Sequence, residues 1–222
     1  MLVQKLIFFI MKNIAFFLLF AAFFSCKKEE DKKPQFPADL YMTHVNKKAG
    51  IRLFVNKTEI KDKAIIDKFV KGESNFHVND SSVVSDEKIT FLSKDSVYVG
   101  GRSIKDIRSV ERNGNRFLFK TVTYNMISKS RAELIFDMNK HRSALTPAYD
   151  GNYHVDIIMV GYGDYSKVEL SLFSYKVVKR SGQSWSLNTG KTFNEFDESY
   201  ISTVGPNDTL AIEEYSYTLK VR

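Results

Sequence analysis

Short segments in which apolar and polar residues alternate recur along most of this chain, and they constrain its fold more than any other feature. The segments with this period of two, all rich in branched or aromatic side chains, are residues 50–55, 88–92, 95–99, 104–110, 116–124, 132–136, 153–160, 167–179 and 210–221. Because successive side chains of a strand point to opposite faces of a sheet, the pattern predicts about eight to ten β-strands. Asn113 and Gly114 separate two of these segments and predict a tight hairpin.

One segment has helical spacing instead. Residues 62–71 place four apolar side chains on one face of a helix, and Gly72 follows as a stop signal. Antiparallel strands with short connections and one short helix predict a mainly β domain, which is either a closed barrel or a two-sheet sandwich. A lipocalin-like barrel is the version that would enclose a ligand cavity.

The chain contains 1 cysteine, Cys26, so no disulfide can form within it and its core must be stable without one. Residues 14–24, just before Cys26, are an unbroken apolar run. A membrane-spanning helix needs about 20 such residues. The shorter run, with Lys12 ahead of it, is typical of a secretory signal peptide.

The sequence Leu-Phe-Ala-Ala-Phe-Phe-Ser at residues 19–25 resembles the lipobox of bacterial lipoproteins, in which a small residue lies at the cleavage point before the cysteine. This family usually has an aliphatic residue where this chain has Phe23, although phenylalanine-rich versions are familiar among Bacteroidota-type lipoproteins. The resemblance implies a membrane anchor of fatty acids such as palmitate on Cys26, which becomes the new N-terminus. The alternatives are a plain secretory signal with a free thiol and an uncleaved anchor.

A charged run follows the cysteine directly. It consists of Lys27, Lys28, Glu29, Glu30 and Asp31. The run resembles the export signal that sends Bacteroidota-type lipoproteins to the outer face of the outer membrane, which implies a protein facing the cell exterior. The alternatives are a solvated tether and a location on the periplasmic face.

These features divide the chain into three parts. Residues 1–25 are expected to be a lipoprotein signal peptide, residues 26–38 a charged flexible tether, and residues 39–222 a single mainly β domain. The net charge of +7 is spread along the length rather than clustered, which argues against a nucleic-acid partner.

Motifs for catalysis and metal binding are missing from the sequence. It has no H-E-x-x-H pair, no G-x-S-x-G elbow and no cluster of cysteines, so we expect no metal, no cofactor and no enzymatic activity. Glu195, Asp197 and Glu198 are the candidates for the paired carboxylates of glycosidic chemistry, but a surface role suits an exposed connection better.

Aromatic residues in predicted loops are the better indication of binding. Trp185 follows the turn-forming residues 181–184, and Tyr162 and Tyr165 lie beside Gly163 in a second predicted turn. These three side chains predict a non-enzymatic binding or interaction module for a glycan, a small ligand or a protein. The alternatives are a structural envelope lipoprotein without a dedicated ligand and a small hydrolase accessory to an uptake system.

Two tripeptides resemble the O-glycosylation sites of exported Bacteroidota-type proteins, in which an aliphatic residue follows Asp-Ser or Asp-Thr. The hydroxyl groups concerned are those of Ser96 and Thr209.

Overall fold

The architecture is that of a computed structural model, which describes residues 34–101, 104–121, 125–142, 144–155 and 157–222. Its strands, in chain order, are β1 Ala38–Lys47, β2 Arg52–Val55, β3 Thr58–Ile60, β4 Ser81–Ser82, β5 Lys88–Ser93, β6 Ser96–Gly101, β7 Ile104–Asn113, β8 Arg116–Thr121, β9 Asn125–Ser128, β10 Leu145–Pro147, β11 Asn152–Val155, β12 Met159–Asp164, β13 Lys167–Ser181, β14 Ser184–Thr192 and β15 Thr209–Lys220. The helices are α1 Lys63–Val70, α2 Lys129–Met138 and a 3₁₀-helix, Glu198–Thr203.

Eight antiparallel strands close into a barrel, which confirms the predicted fold class and selects the barrel over the sandwich. Their order around the ring is β1, β5, β6, β7, β8, β12, β13 and β15, and β15 pairs with β1 to complete it. Closure pairs both edges of every barrel strand, which removes the exposed edges that an open sheet would carry.

The two longest strands continue past the barrel. The pairing of β13 with β15 runs from Lys167 opposite Lys220 to Val178 opposite Thr209. Beyond the barrel, β13 pairs with β14, while β15 pairs with β2 and β2 with β3. The five strands β3, β2, β15, β13 and β14 therefore form a sheet, here called the extended sheet, that prolongs one wall of the barrel.

Side chains fill the barrel interior. Phe91, Phe117 and Phe119 are at most 1% exposed, and their ring centroids lie between 5.6 and 5.9 Å apart. They pack with buried residues of all the neighbouring walls, namely Leu40, Ile89, Val97, Met159, Val168, Leu170, Leu172, Tyr215 and Leu219. Burial of each ring contributes roughly 1.5–3 kcal/mol, so this cluster is the main hydrophobic support of the barrel.

An ion pair also lies on the inward face of β7. Nη2 of Arg108 is 2.7 Å from Oδ2 of Asp106, and Nη1 of Arg108 donates to the carbonyl oxygen of Ile157 at 2.7 Å. Arg108 pairs across the sheet with the buried Val97, which shows that it points into the barrel. A charge at such a depth requires partners of this kind.

Helix α1 confirms the predicted helix. The Asp62 carboxylate accepts hydrogen bonds from backbone N–H groups of the first turn, and Gly72 adopts a φ of +81° just past the end. Val70 is fully buried and packs on Leu53 and Ala211 of the extended sheet. The helix therefore covers one face of that sheet, here called the α1 face.

The prediction of a strand over residues 132–136 is wrong, because α2 covers them. Ala132, Leu134 and Phe136 alternate as a strand would, but alanine, glutamate and leucine are also the strongest helix formers. Leu134 and Met138, one helical turn apart, are buried on the second face of the extended sheet. The other buried members of this second core are Phe54, Phe173, Tyr175, Val177, Phe196, Tyr200, Val204, Leu210 and Ile212.

Two further strand assignments differ from the sequence. β1 is not among the predicted strands, although it pairs with both β5 and β15. The segment 153–160 is not one strand: its first part lies in β11, within a separate sheet of β10, β11 and β9, and its last part begins β12 of the barrel. By contrast, Asn113 pairs with Arg116 across Gly114 and Asn115, which confirms the predicted hairpin.

Candidate functional site

Trp185 lies at the open end of the extended sheet. Gly182, with a φ of +58°, and Gln183 form the two-residue loop between β13 and β14, so Trp185 is the second residue of a strand and not part of the predicted turn. Its side chain is 69% exposed. It lines a groove of ≈ 420 Å³ whose other residues are Lys179, Arg180, Ser181, Ser184, Ser186 and Asp208. We call this the Trp185 groove.

The free charges of the Trp185 groove are positive. Lys179 and Arg180 are exposed, and neither has an ion-pair partner in the part of the chain that the structure describes. Asp208 is already engaged, because its Oδ1 accepts from the backbone N–H of Arg180 at 2.9 Å and its Oδ2 from that of Gly205 at 3.1 Å. The groove thus combines an exposed indole ring with the guanidinium of Arg180, while Lys179, the preceding residue of β13, points to the opposite face of the sheet.

Arg180 and Trp185 face the same side of the sheet. They are directly opposite each other across β13 and β14, in a pair whose side chains lie about 5 Å apart at their Cβ atoms. Arg180 is not among the binding residues that the sequence predicts, although its position just before a glycine turn, with the tryptophan just after that turn, was a usable signal.

The other two predicted binding aromatics lie elsewhere and have structural partners. Tyr162 is in β12 rather than in a turn, and its hydroxyl donates to Oε1 of Glu195 at 2.9 Å. Burial and this hydrogen bond raise the pKa of Tyr162 to about 12. Tyr165 is in the turn after β12, where its ring centroid lies 5.0 Å from that of Phe91 and therefore closes one end of the barrel core.

The three aromatics do not form one surface. Tyr162 pairs with Glu169 and Trp185 with Arg180, both on β13. At 3.3 Å per residue these two positions are separated by roughly 36 Å along the strand. Only Trp185 has the exposure that recognition of a ligand requires.

Glu195 is the centre of a separate polar cluster on the outside of the barrel. Its Oε2 lies 3.1 Å from Nζ of Lys140 and 3.1 Å from Nε2 of His141, while Tyr162 donates to Oε1. Burial by itself raises the pKa of Glu195, but these three donors outweigh it and the pKa is lowered. The carboxylate is therefore charged, and both of its oxygens already have partners.

Asn194 positions this cluster. It is fully buried, its Nδ2 donates to the carbonyl oxygens of His141 at 3.0 Å and Ile158 at 3.1 Å, and its Oδ1 accepts from the backbone N–H of His141. Asn194 thus fastens the connection after β14 to the start of β12. The sequence offered no signal for this role, because the contacts join segments far apart in the chain.

The other two candidate carboxylates are likewise paired with cations. Asp197 accepts from the backbone N–H of Ser199 at the start of the 3₁₀-helix and forms an ion pair with Arg142. Oε2 of Glu198 accepts from Nη2 of Arg52 at 2.9 Å. These carboxylates hold the chain segment in place, which is the surface role that the sequence favours.

The two predicted glycosylation positions are both partly covered. Ser96 begins β6, with its Oγ 2.8 Å from that of Ser93. Thr209 begins β15 and has a strand on each side, with Val55 and Val178 as its neighbours. Their modification remains a prediction.

Cys26 and the charged run of residues 27–31 lie outside the described residues. Within the described ranges, no group of three or more His, Cys, Asp and Glu side chains could hold a metal ion. None of the helices described is both long enough and apolar enough to cross a membrane.

Comparison with known protein families, with characterised proteins and with solved structures found no match.

Proposed function

We propose that this chain is a cell-envelope lipoprotein whose barrel domain is a non-enzymatic binding module. The apolar run, the lipobox-like residues 19–25 and the charged residues 27–31 support an anchor at Cys26 in the outer membrane, with the domain facing the exterior. The observation that carries the binding role is the 69% exposed Trp185 in a surface groove, beside Arg180, which has no ion-pair partner among the residues that the structure describes.

The ligand that fits this chemistry best is an anionic glycan. A flat sugar face covers an indole ring well, and binding fixes only two side-chain torsion angles of Trp185, so little conformational entropy is lost. Arg180 presents a planar fork of N–H donors that matches a carboxylate or sulfate group. Because Trp185 and Arg180 project from the same side of one strand pair, a single acidic sugar can contact both.

The barrel interior supports a surface site rather than an internal one. Phe91, Phe117 and Phe119 occupy the space that a lipocalin-like barrel would give to its ligand. Glu195, Asp197 and Glu198 are each bound to a cation, which leaves them poorly suited to acid–base catalysis.

Binding of the purified protein to uronic-acid, sulfated and neutral oligosaccharides tests this function. We expect acidic ligands to bind and Trp185→Ala to weaken that binding at least about tenfold, which corresponds to about 1.4 kcal/mol. Arg180→Ala should weaken acidic ligands more than neutral ones, and added salt should reduce the affinity of the wild type.

Tyr149→Ala is the matched control. Tyr149 is 67% exposed, close to the value for Trp185, but it does not line the groove. Equal loss of binding in both variants, or binding that survives Trp185→Ala and Arg180→Ala, would contradict the proposal. Absence of binding to every glycan in the panel would favour the structural role without a ligand.

A further inference from the structure

We propose that the free edge of β14 pairs two copies of this chain in an antiparallel dimer, in which each extended sheet continues into the other. The inference concerns the middle of β14 and does not depend on the proposed glycan site. Leu187, Asn188 and Thr189, which would lie at the centre of the interface, do not line the Trp185 groove.

β14 is an edge strand without the usual protection. It pairs with β13 on one side, and no described segment of the chain pairs with its other side. Natural edge strands are commonly blunted by proline, bulges or several charges. The register of β14 on β13 is uninterrupted from Ser184 to Thr192, the strand contains no proline, and Lys191 is its only charged residue.

Hairpin geometry determines which backbone groups face outward. The two-residue loop makes Ser181 and Ser184 a hydrogen-bonded pair, so every second residue from Ser184 onward bonds to β13. The remaining positions direct their N–H and C=O groups to the free edge. These positions are Trp185, Leu187, Thr189 and Lys191.

The sequence of β14 is complementary to itself when two copies overlap fully. Asn188 is the midpoint of Ser184–Thr192, so it lies on the two-fold axis and faces Asn188 of the second copy. Trp185 then lies opposite Lys191 of the second copy, and Leu187 opposite Thr189 of the second copy. This register keeps the two like charges apart.

The side chains involved are exposed in one copy. Trp185 is 69% and Leu187 44% exposed, and both project from the α1 face of the extended sheet, in line with Arg180 and Val178. Pairing along the edge would cover Leu187 and satisfy the outward backbone groups at once, and a second copy of β14 meets both needs.

Disulfide trapping tests the register. In a Cys26→Ser background of the full chain, Asn188→Cys places two thiols in a non-hydrogen-bonded pair with Cα atoms about 4.5 Å apart, within disulfide range. Ser186→Cys, on the same face of the strand, leaves the thiols roughly 13 Å apart and is the matched control. We expect a covalent dimer from Asn188→Cys under mild oxidation and none from Ser186→Cys. If Ser186→Cys crosslinks as readily as Asn188→Cys, or if neither variant crosslinks, the proposed register is wrong.

The mass of the full chain in solution, measured by analytical ultracentrifugation, tests the interface itself. Leu187→Pro removes an N–H that points to the free edge, so it should abolish the dimer while the bonds from β14 to β13 persist. Leu187→Lys retains every backbone N–H and C=O group and should also weaken the dimer. This second variant keeps the test valid if proline unfolds the β13–β14 hairpin. A wild-type monomer at every concentration, or dimers that survive both substitutions, would exclude this interface.

Discussion

Phe91 and Leu92 are consecutive residues of β5, one buried inside the barrel and the other exposed, and replacing each by alanine tests the closed, filled barrel. Phe91 is fully buried, and its ring centroid lies 5.6 Å from that of Phe117, 5.9 Å from that of Phe119 and 5.0 Å from that of Tyr165. Leu92 is 43% exposed.

Removing the Phe91 ring leaves a cavity among three other aromatic rings that cannot collapse without moving the strands. We therefore expect Phe91→Ala to lower the free energy of unfolding by about 3–5 kcal/mol. For a domain of this size that corresponds to a fall in Tm of roughly 6–20 °C. Leu92→Ala should cost about 1 kcal/mol, because much of its side chain already contacts water.

Urea titration followed by far-ultraviolet circular dichroism is the suitable assay. Fluorescence is a poor reporter here, because the single tryptophan, Trp185, is already exposed in the folded protein. Equal losses for Phe91→Ala and Leu92→Ala, or a larger loss for Leu92→Ala, would refute the assignment of the inner and outer faces of β5.

Three further expectations concern charge and modification. Glu195→Gln should lower the free energy of unfolding at neutral pH by roughly 1–3 kcal/mol through weakened hydrogen bonds. Because the pKa of Glu195 is lowered in the folded protein, the difference between this variant and the wild type should shrink in acid, where the Glu195 carboxylate of the wild type becomes protonated. Burial, and then the charge of Glu198, raise the pKa of Glu214. Glu214→Gln should therefore raise the free energy of unfolding at neutral pH and leave it unchanged in acid. Urea titrations at the two pH values test both substitutions, and a change in free energy that is the same at both would contradict the prediction for either residue. The intact mass of the protein from its native cells should include glycan on Ser96 or Thr209. If Ser96→Ala and Thr209→Ala change this mass by no more than the substitution itself, the glycosylation prediction is wrong.

Local patterns in the sequence account for the long strands and for one helix. Alternation over residues 210–221 indicates an integral last strand, and β15 pairs with neighbours on both sides. The hairpin at Asn113 and Gly114 and helix α1 also depend on neighbouring residues alone. Each of these elements has a signal within about ten residues, which is the range over which turn and helix propensities act.

Barrel closure and the position of the site depend on contacts that local patterns do not contain. β1 pairs with β15, which lies far away in the sequence, and the residues of neither strand indicate which strand it pairs with. The apolar run within α2 satisfies both a strand and a helix pattern, and only packing on the extended sheet decides between them. The exposure of Trp185 likewise depends on tertiary packing, because α1 covers only part of the α1 face of the extended sheet.

Lipid attachment at Cys26 is the claim on which the location of the domain depends, and the mass of the N-terminal peptide tests it most directly. The protein should be isolated from its native membranes and digested, and the peptide that begins at residue 26 measured. We expect a mass increased by a diacylglyceryl group, with residues 1–25 removed. A free thiol on Cys26, or a peptide that still carries residues 14–24, would contradict the account.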